Sequence, residues 1–293
     1  MGDFKRGLGP QLLSSLTDES LFCNELMDDI KGGNVFFGNR YRCASFYYKG
    51  RSLFKYEKNA FSANHKFAVI AKNLPDDYIT ESDLSSINVG LSFKDNYTEI
   101  KNRANQYKDP EADGVSALYK SAVKSGSNKD DIYLLDIEIS LAKPEKEEGK
   151  KRRGTDRIDL LLYNNTDCRL MFCEAKHYTN DELWVEKPEE PPVVKQISRY
   201  HDQIKSRYDS LLDQYSKVID EYNELLDVKL NRPKKICKKC GLYVFGYDSV
   251  WENEVCNRLE ANAKRFGFAY RAIGRTTSDS ARKIYQSLVG KLK

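Results

Sequence analysis

Hydrophobic positions in the N-terminal third of the chain change from helical spacing to short aromatic and β-branched segments. Apolar residues from Leu21 to Ile30 recur at steps of three and four, which predicts a first helix over 17–31 that stops at Gly32-Gly33. Gly and Asn positions separate the segments that follow. We therefore predict an antiparallel β-meander built from NVFF, YRCASFYY, SLFKYE and KFAVIA.

The C-terminal two thirds of the chain alternates strand-like and helical patterns. Three strand-like segments come first: DIYLLDIEISLA from Asp131, then RIDLLLY and RLMFCEAKHY. Apolar residues at helical spacing over 193–226 predict one long helix, broken at most once. Strand, helix, strand and helix patterns complete the chain. This alternation favours an α/β (α+β) core over 116–293, preceded by a separate N-terminal module over 1–115.

Composition restricts the class of protein. Hydrophobic residues make up 40% and charged residues 31% of the 293 residues, as in a folded globular chain. No apolar run approaches the roughly 20 residues of a transmembrane helix. The N-terminal residues lack the apolar region of a secretory signal, so we expect a cytoplasmic protein without membrane association. The seven cysteines are odd in number and scattered, which favours reduced thiols.

Basic residues are distributed unevenly, although the net charge is only +4. Residues 31–72 hold nine Lys or Arg against one acid, whereas residues 73–114 hold nine acids against four bases. Cations among aromatic residues are typical of surfaces that contact phosphates and bases, but solvated surface charge is an equally good interpretation. The candidate nucleic-acid contacts are Arg40, Arg42, Lys49 and Arg51 in the meander, Arg152 and Arg153 before one strand, and Lys234 and Lys235 after the long helix.

Charged residues interrupt two of the apolar strands. Glu174 and Lys176 are two residues apart, so a strand directs both side chains to the same face, and Asp159 lies in the preceding strand. Such residues are costly to bury unless they are paired, solvated or bound to a metal. Two converging carboxylates suit Mg²⁺ or Mn²⁺, hard cations that prefer oxygen ligands. The competing interpretation is an exposed ion pair on a surface hairpin.

Asp159, a hairpin-length gap and then Glu174-Ala175-Lys176 resemble the motif of the PD-(D/E)xK nuclease superfamily, with Ile158 in place of the proline. Gln196 and Tyr200 resemble the QxxxY element of its RecB-like and lambda-exonuclease-like branch. The resemblance implies a restriction-endonuclease-like mixed sheet flanked by helices. It implies a metal held by both acids and the Ala175 carbonyl, a catalytic lysine, and Gln196 and Tyr200 beside metal-bound water or substrate phosphate.

The upstream acid that many members of this superfamily add is not evident from the sequence. Glu138 is our candidate, because Asp136 and Glu138 interrupt an apolar strand, and Glu111 is the alternative from the preceding helical region. Cys237 and Cys240 have zinc-knuckle spacing but lack a second ligand pair, and with Cys256 they only loosely match the iron-sulfur cysteines of some RecB-like relatives. Ordinary thiols remain the preferred interpretation of these three cysteines.

These observations predict a metal-dependent deoxyribonuclease, an endo- or exonuclease acting in restriction or antiviral (anti-phage) defence. RNA remains open as a substrate. The alternative is a non-catalytic nucleic-acid-binding or assembly subunit of a larger defence or repair complex that retains the nuclease fold. A nuclease held silent by a partner is a third interpretation. A protein partner would bind through the long helix 193–226 or the N-terminal module.

Overall fold

The structure is a computed structural model that describes residues 4–68, 78–83, 92–107, 109–124, 132–141, 157–185 and 189–293. The chain divides into two compact units. The N-terminal unit comprises residues 5–127 and 220–229, and the C-terminal unit comprises residues 1–4, 128–219 and 230–293. The division thus falls later than the boundary expected after residue 115, and the last seven residues of the long helical region, 220–226, belong to the N-terminal unit.

An antiparallel meander forms the sheet of the N-terminal unit, as the sequence predicts. Its strands pair in chain order: β1 Val35–Arg40, β2 Cys43–Tyr48, β3 Arg51–Glu57, β4 Ala60–Asn64 and β5 Tyr78–Thr80. The first predicted helix is a π-helical turn, Phe22–Leu26, that continues into α2, and it ends at a left-handed Gly33 with φ 70°. The remaining helices are α1 Pro10–Thr17, α2 Met27–Gly32, α3 Tyr97–Ala104 and α4 Pro110–Ser116.

The fourth strand of the meander lies earlier than predicted. Lys58 and Asn59 both have positive φ, 53° and 59°, which is the geometry of a tight two-residue hairpin turn. The chain therefore returns at once as β4, in which Phe61 and Ala63 are buried in alternation with more exposed neighbours. Residues 65–68 form a turn, so the strand predicted at KFAVIA is wrong over its first residues, and residues 69–71 lie outside the described part.

A half-buried carboxylate links helices of the N-terminal unit. Asp29 in α2 accepts hydrogen bonds from Tyr97 Oη at 2.7 Å, Lys101 Nζ at 2.5 Å and Asn34 Nδ2 at 3.1 Å. Burial alone would raise the pKa of Asp29, but the hydrogen bonds from Lys101, Tyr97 and Asn34 outweigh it and lower the pKa below the usual 3.8. The ionised form of Asp29 therefore stabilises the fold.

The C-terminal unit holds a mixed sheet. Its strands are β6 Ile132–Ser140, β7 Arg157–Asn164, β8 Arg169–His177, β9 Lys235–Ile236, β10 Gly241–Phe245 and β11 Tyr270–Ile273. The order is β11-β10-β8-β7-β6, with β9 paired to β8. Strands β6 to β8 are antiparallel, and β10 is parallel to both β8 and β11. The helices are α5 Pro192–Ser206, α6 Tyr208–Leu226, α7 Glu252–Phe266 and α8 Ser280–Leu288.

Parallel strands need crossover connections, which explains why helices lie between β8 and β10 and between β10 and β11. Both faces of the central strands β7 and β8 are buried, and they carry the core of this unit. The mixed α+β class predicted from the sequence is thus confirmed. No helix in the described part of the chain combines the length and apolar character needed to cross a bilayer.

The predicted long helix is two helices. Helix α5 ends at Ser206, and Arg207 leaves helical geometry with φ −122° and ψ 17°. The Arg207 side chain is buried and donates to the Gln203 carbonyl at 3.5 Å, while its own carbonyl accepts from Leu211 N–H at 2.8 Å at the start of α6. Arg207, buried at the end of α5, thus marks the single break that the sequence pattern allowed in the predicted long helix.

Candidate active site

Strands β7 and β8 bring Asp159 and Glu174 together. Leu160 pairs with Cys173, so Asp159 and Glu174 are the next residues on the two neighbouring strands. The Ala175 N–H donates to Asp159 Oδ2 at 2.8 Å, which fixes the orientation of that carboxylate. Glu174 is only 1% exposed. Burial, and then the charge of Asp159, raises the pKa of Glu174 well above its usual range.

Lys176 supplies the positive charge beside these acids. Its Nζ lies 3.0 Å from Glu174 Oε1, and its side chain is 9% exposed. Burial alone would lower the pKa of Lys176, but the charges of Glu174 and Asp159 outweigh it and raise the pKa. Lys176 is therefore protonated at neutral pH. The exposed ion pair of the competing interpretation does not describe this arrangement, because Glu174 and Lys176 are both buried.

Glu182 is a partner of Lys176 that the sequence did not reveal. It lies in a 3-10 turn, Asp181–Leu183, that follows β8, and its Oε2 is 2.8 Å from Lys176 Nζ. The Glu182 side chain is half-exposed, in contrast to Glu174. Glu182 lies five residues after the end of β8, outside any strand or helix pattern that would have identified it from the sequence. Only the fold of the turn brings it to Lys176.

Gln196 and Tyr200 lie on α5 one helical turn apart. Gln196 Nε2 donates to Tyr200 Oη at 2.9 Å, and Tyr200 Oη donates to the Arg157 carbonyl at 2.5 Å. Burial, and then the charge of Glu174, raises the pKa of the Tyr200 hydroxyl, and Asp159 adds to this effect. Tyr200 therefore lies within electrostatic reach of both acids, and the structure brings five of the predicted residues, Asp159, Glu174, Lys176, Gln196 and Tyr200, into one region.

Two buried oxygen atoms in this region accept no hydrogen bond from the described residues: Glu174 Oε2 and Gln196 Oε1. An unsatisfied buried carboxylate oxygen is costly, and it is a suitable ligand for a hard cation. The described residues contain no cluster of three or more His, Cys, Asp or Glu side chains that could hold a metal. Asp159 and Glu174 fit Mg²⁺ even so, because this ion commonly binds one or two carboxylates and keeps several waters.

Glu138 occupies an irregular position in β6. The pairing of β6 with β7 shifts register between Leu134 and Asp136, and Glu138 has a positive φ of 47°. Its carboxylate contacts Arg157 at 3.2 Å. Asp136 is instead buried and accepts from Tyr215 Oη at 2.9 Å. The register shift comes before both acids, and it is the positive φ of Glu138 that departs from regular strand geometry. The alternative acid, Glu111, lies in α4 of the N-terminal unit.

The cations of the meander differ in how far neighbouring groups engage them. Arg42 is exposed at the β1–β2 turn, where its guanidinium lies 5.2 Å from the ring centre of Tyr41. Arg40 lies 5.6 Å from the Tyr47 ring centre. Lys49 donates to Asn105 at 2.5 Å, and Arg51 pairs with Asp113 at 3.4 Å. Arg42 is therefore the most accessible of the four predicted contacts.

The two other basic clusters are described only in part. Arg152 and Arg153 lie outside the described residues. Lys235 pairs with Asp167 at 2.9 Å, and Asp167 also pairs with Arg169 at 2.6 Å, whereas the Lys234 side chain is exposed. The pairing of Lys235 reduces the positive charge that this cluster offers to a phosphate.

The cysteines of the C-terminal unit are free thiols. Cys237 and Cys240 are buried, and Cys256 lies in α7. Burial raises the pKa of Cys237 to about 11, and burial also raises the pKa of Cys240. Both thiols are therefore protonated at neutral pH, which suits a packing role better than a reactive one.

Comparisons with models of protein families, with curated proteins and with solved structures found no match for this chain.

Proposed function

We propose that the chain is a metal-dependent nuclease that hydrolyses DNA phosphodiester bonds. The observation that carries this proposal is the buried Glu174 carboxylate beside Asp159, with one oxygen that accepts no hydrogen bond from the described residues and with Lys176 at 3.0 Å. The same site supports a restriction-endonuclease-like fold for the C-terminal unit. Further support comes from the antiparallel β6–β8 followed by a helical crossover to a parallel β10.

Asp159 and Glu174 would hold Mg²⁺ or Mn²⁺, with the Ala175 carbonyl as the further ligand that the resemblance suggests. When bound, such an ion supplies Lewis-acid stabilisation of a phosphoryl group and makes water a nucleophile at neutral pH. The Ala175 N–H keeps Asp159 oriented through its 2.8 Å hydrogen bond. Glu138 stays the predicted additional acid, and its carboxylate contacts Arg157 at 3.2 Å.

Lys176 contributes the charge that a phosphodiester requires during hydrolysis. Negative charge grows on the phosphoryl oxygens as the bond breaks, and a fixed ammonium in a buried site stabilises it more strongly than water does. Glu182 holds Lys176 from the exposed side at 2.8 Å, so the lysine keeps a partner when a cation occupies Glu174. Gln196 and Tyr200 line the same region, where Gln196 Oε1 accepts no hydrogen bond from the described residues and would accept one from water or substrate.

The direct test incubates the purified chain with linear duplex, circular duplex, single-stranded DNA and RNA, each with Mg²⁺, Mn²⁺ or EDTA. We expect DNA cleavage that requires the metal and that disappears in Glu174→Ala, while circular DNA distinguishes endonuclease from exonuclease activity. Cleavage of RNA alone would move the substrate class to ribonucleic acid. A folded wild-type chain that cuts none of the four substrates would overturn the proposal.

A non-catalytic binding subunit is the second candidate, and one observation favours it. Lys176 already neutralises Glu174 and contacts Glu182, so these three charges can stabilise the fold without a bound metal. In that case Glu174→Ala would leave nucleic-acid binding intact and no metal-dependent cleavage would exist to lose. Restriction or antiviral defence remains the setting that we propose for either candidate, with a partner bound through residues 193–226 or the N-terminal unit.

The exposed Arg42 gives the substrate proposal a separate test. If the meander binds DNA, neutralising Arg40, Arg42, Lys49 and Arg51 together should lower the slope of log affinity against log salt. The expected reduction is about 0.9 per lost phosphate contact on duplex DNA and about 0.7 on single strands. Anisotropy titrations in Ca²⁺, which suppresses cutting, measure this slope. An unchanged slope would assign these cations to the stability of the meander.

A further inference from the structure

A pocket of about 300 Å³ lies in the C-terminal unit, between the start of β10 and the ends of α7 and α8. Three lysines from three different elements line it: Lys239, which precedes β10, Lys264 in α7, and Lys291, which follows α8. Lys264 pairs with Glu260 at 3.2 Å. Among the residues that the structure describes, no carboxylate lies within 4.0 Å of the ammonium of Lys239 or Lys291. Positive charge is therefore in excess at this concave surface.

An aromatic wall completes the pocket. Phe268 and Tyr270 line it with their ring centres 6.3 Å apart, and both are partly exposed. Tyr270 Oη donates to Glu260 Oε2 at 3.1 Å, so its ring is held in place. Partly exposed rings beside unpaired ammonium groups combine a stacking surface with sites for an anion.

His201 adds a polar group without adding charge. Its Nε2 lies 3.2 Å from the Cys240 carbonyl, and burial lowers the pKa of the imidazole, so the ring is neutral at pH 7. A neutral imidazole that donates from Nε2 to a carbonyl leaves Nδ1 as a hydrogen-bond acceptor. His201 thus suits a ligand that also has N–H or O–H groups.

We infer that this pocket binds a nucleotide, with the phosphate at Lys239 and Lys291 and the base against Phe268 and Tyr270. The cavity volume is at the small end of the range of ligand pockets, which suits one nucleotide rather than a larger cofactor. A free nucleotide and one nucleotide of a single strand present the same chemistry, so both are sources of the ligand. The inference goes beyond cleavage, because neither Asp159 nor Glu174 takes part in it.

Two residues that line the pocket are neighbours of elements that carry the candidate active site. Cys240 lines the pocket, and after burial and the influence of Cys173, the charge of Glu174 raises the pKa of its thiol. His201 is the neighbour of Tyr200 on α5. The pocket and the candidate active site therefore use adjoining positions of α5 and of the β8–β10 pair.

The test measures binding of dAMP, deoxyribose 5-phosphate, inorganic phosphate and a short single-stranded oligonucleotide to the full chain by calorimetry in EDTA, where no cleavage occurs. We expect the double variant Lys239→Gln/Lys291→Gln to weaken dAMP binding at least about tenfold, because charge-assisted contacts are lost. Lys238→Gln is the matched control, since Lys238 is an exposed neighbour that does not line the pocket. It should leave binding unchanged.

The base should contribute separately from the phosphate. Deoxyribose 5-phosphate should bind at least about fivefold more weakly than dAMP, which is the lower end of what stacking adds for one base. A loss of oligonucleotide binding in the double variant without measurable dAMP binding would support the pocket with a strand as its ligand. The inference is overturned if the double variant, shown to be folded by circular dichroism, binds dAMP and the oligonucleotide as the wild type does. It is also overturned if the wild type binds neither.

Discussion

Lys176→Met and Glu174→Gln should have unequal effects on stability when divalent cations are absent. Among the described residues, Lys176 is the cation paired with the buried Glu174 carboxylate, at 3.0 Å, and Asp159 adds a second negative charge beside it. Removal of the lysine leaves both acids without that compensation. Removal of the Glu174 charge leaves Lys176 with Glu182 at 2.8 Å and relieves the repulsion from Asp159. Lys176→Met therefore leaves uncompensated negative charge in the buried site, whereas Glu174→Gln leaves a lysine that is still paired.

The structure sets the expected magnitudes. Breaking a buried ion pair so that one charge stays uncompensated costs about 3–5 kcal/mol, and we expect about 3 kcal/mol for Lys176→Met because Glu174 takes up a proton in response. For Glu174→Gln the desolvation cost of the acid disappears, and the remaining pair with the half-exposed Glu182 is worth about 0–1 kcal/mol. We therefore expect the free energy of unfolding to change by less than about 1 kcal/mol.

Urea denaturation followed by tryptophan fluorescence measures both variants. The chain has 2 tryptophans, Trp184 and Trp251, and both lie in the C-terminal unit, so the signal reports on the unit that holds the site. Excess Mg²⁺ should restore part of the stability of Lys176→Met, up to about 2.7 kcal/mol at a hundredfold excess over the dissociation constant. Equal losses in the two variants, or a Lys176→Met variant indifferent to metal, would refute the reasoning.

Three further predictions concern other residues. Tyr200→Phe should lower turnover about 10–100-fold, which is the range for a group that orients other groups at a metal site, with little change in KM. Wild-type turnover in this variant would exclude that role for Tyr200. Glu182→Gln should lower turnover. The control variant Asp181→Asn changes the exposed neighbour of Glu182 and should leave turnover unchanged, so equal effects of the two variants would argue against the contact with Lys176. Asp29→Asn should destabilise the fold at pH 7 by about 1.5 kcal/mol. Because the folded pKa of Asp29 is lowered, this difference should shrink as the pH falls through 3.8 and vanish below the lowered folded pKa, and a difference that does not shrink over this range would contradict the assignment.

The sequence predicts the elements that periodicity governs. Alternating and apolar segments place β6, β7 and β8, and the two-residue spacing of Glu174 and Lys176 puts both side chains on one face, where they form an ion pair. Helical spacing likewise places Gln196 and Tyr200 in contact. These features are local, because each depends on the repeat of a single strand or helix.

Other features depend on local geometry that periodicity does not encode. The strand β4 follows a turn with positive φ at Lys58 and Asn59, and neither residue is a glycine, the residue that would have predicted such a turn. The register of β6 shifts between Leu134 and Asp136, and Glu138 has a positive φ that a non-glycine residue rarely adopts. The contact of Glu182 with Lys176 joins a turn to a strand, so it becomes visible only in the fold.

Single-turnover cleavage of DNA by the wild type and by Asp159→Asn, each with Mg²⁺ and with EDTA, tests the central claim most directly. Asparagine keeps the size of the side chain and removes the charge that would hold the metal. We expect metal-dependent cleavage by the wild type and a loss of at least about 100-fold in Asp159→Asn, beyond the 10–100-fold typical of residues that only support metal ligands. Equal rates for the two proteins in Mg²⁺, or wild-type cleavage that persists in EDTA, would contradict it.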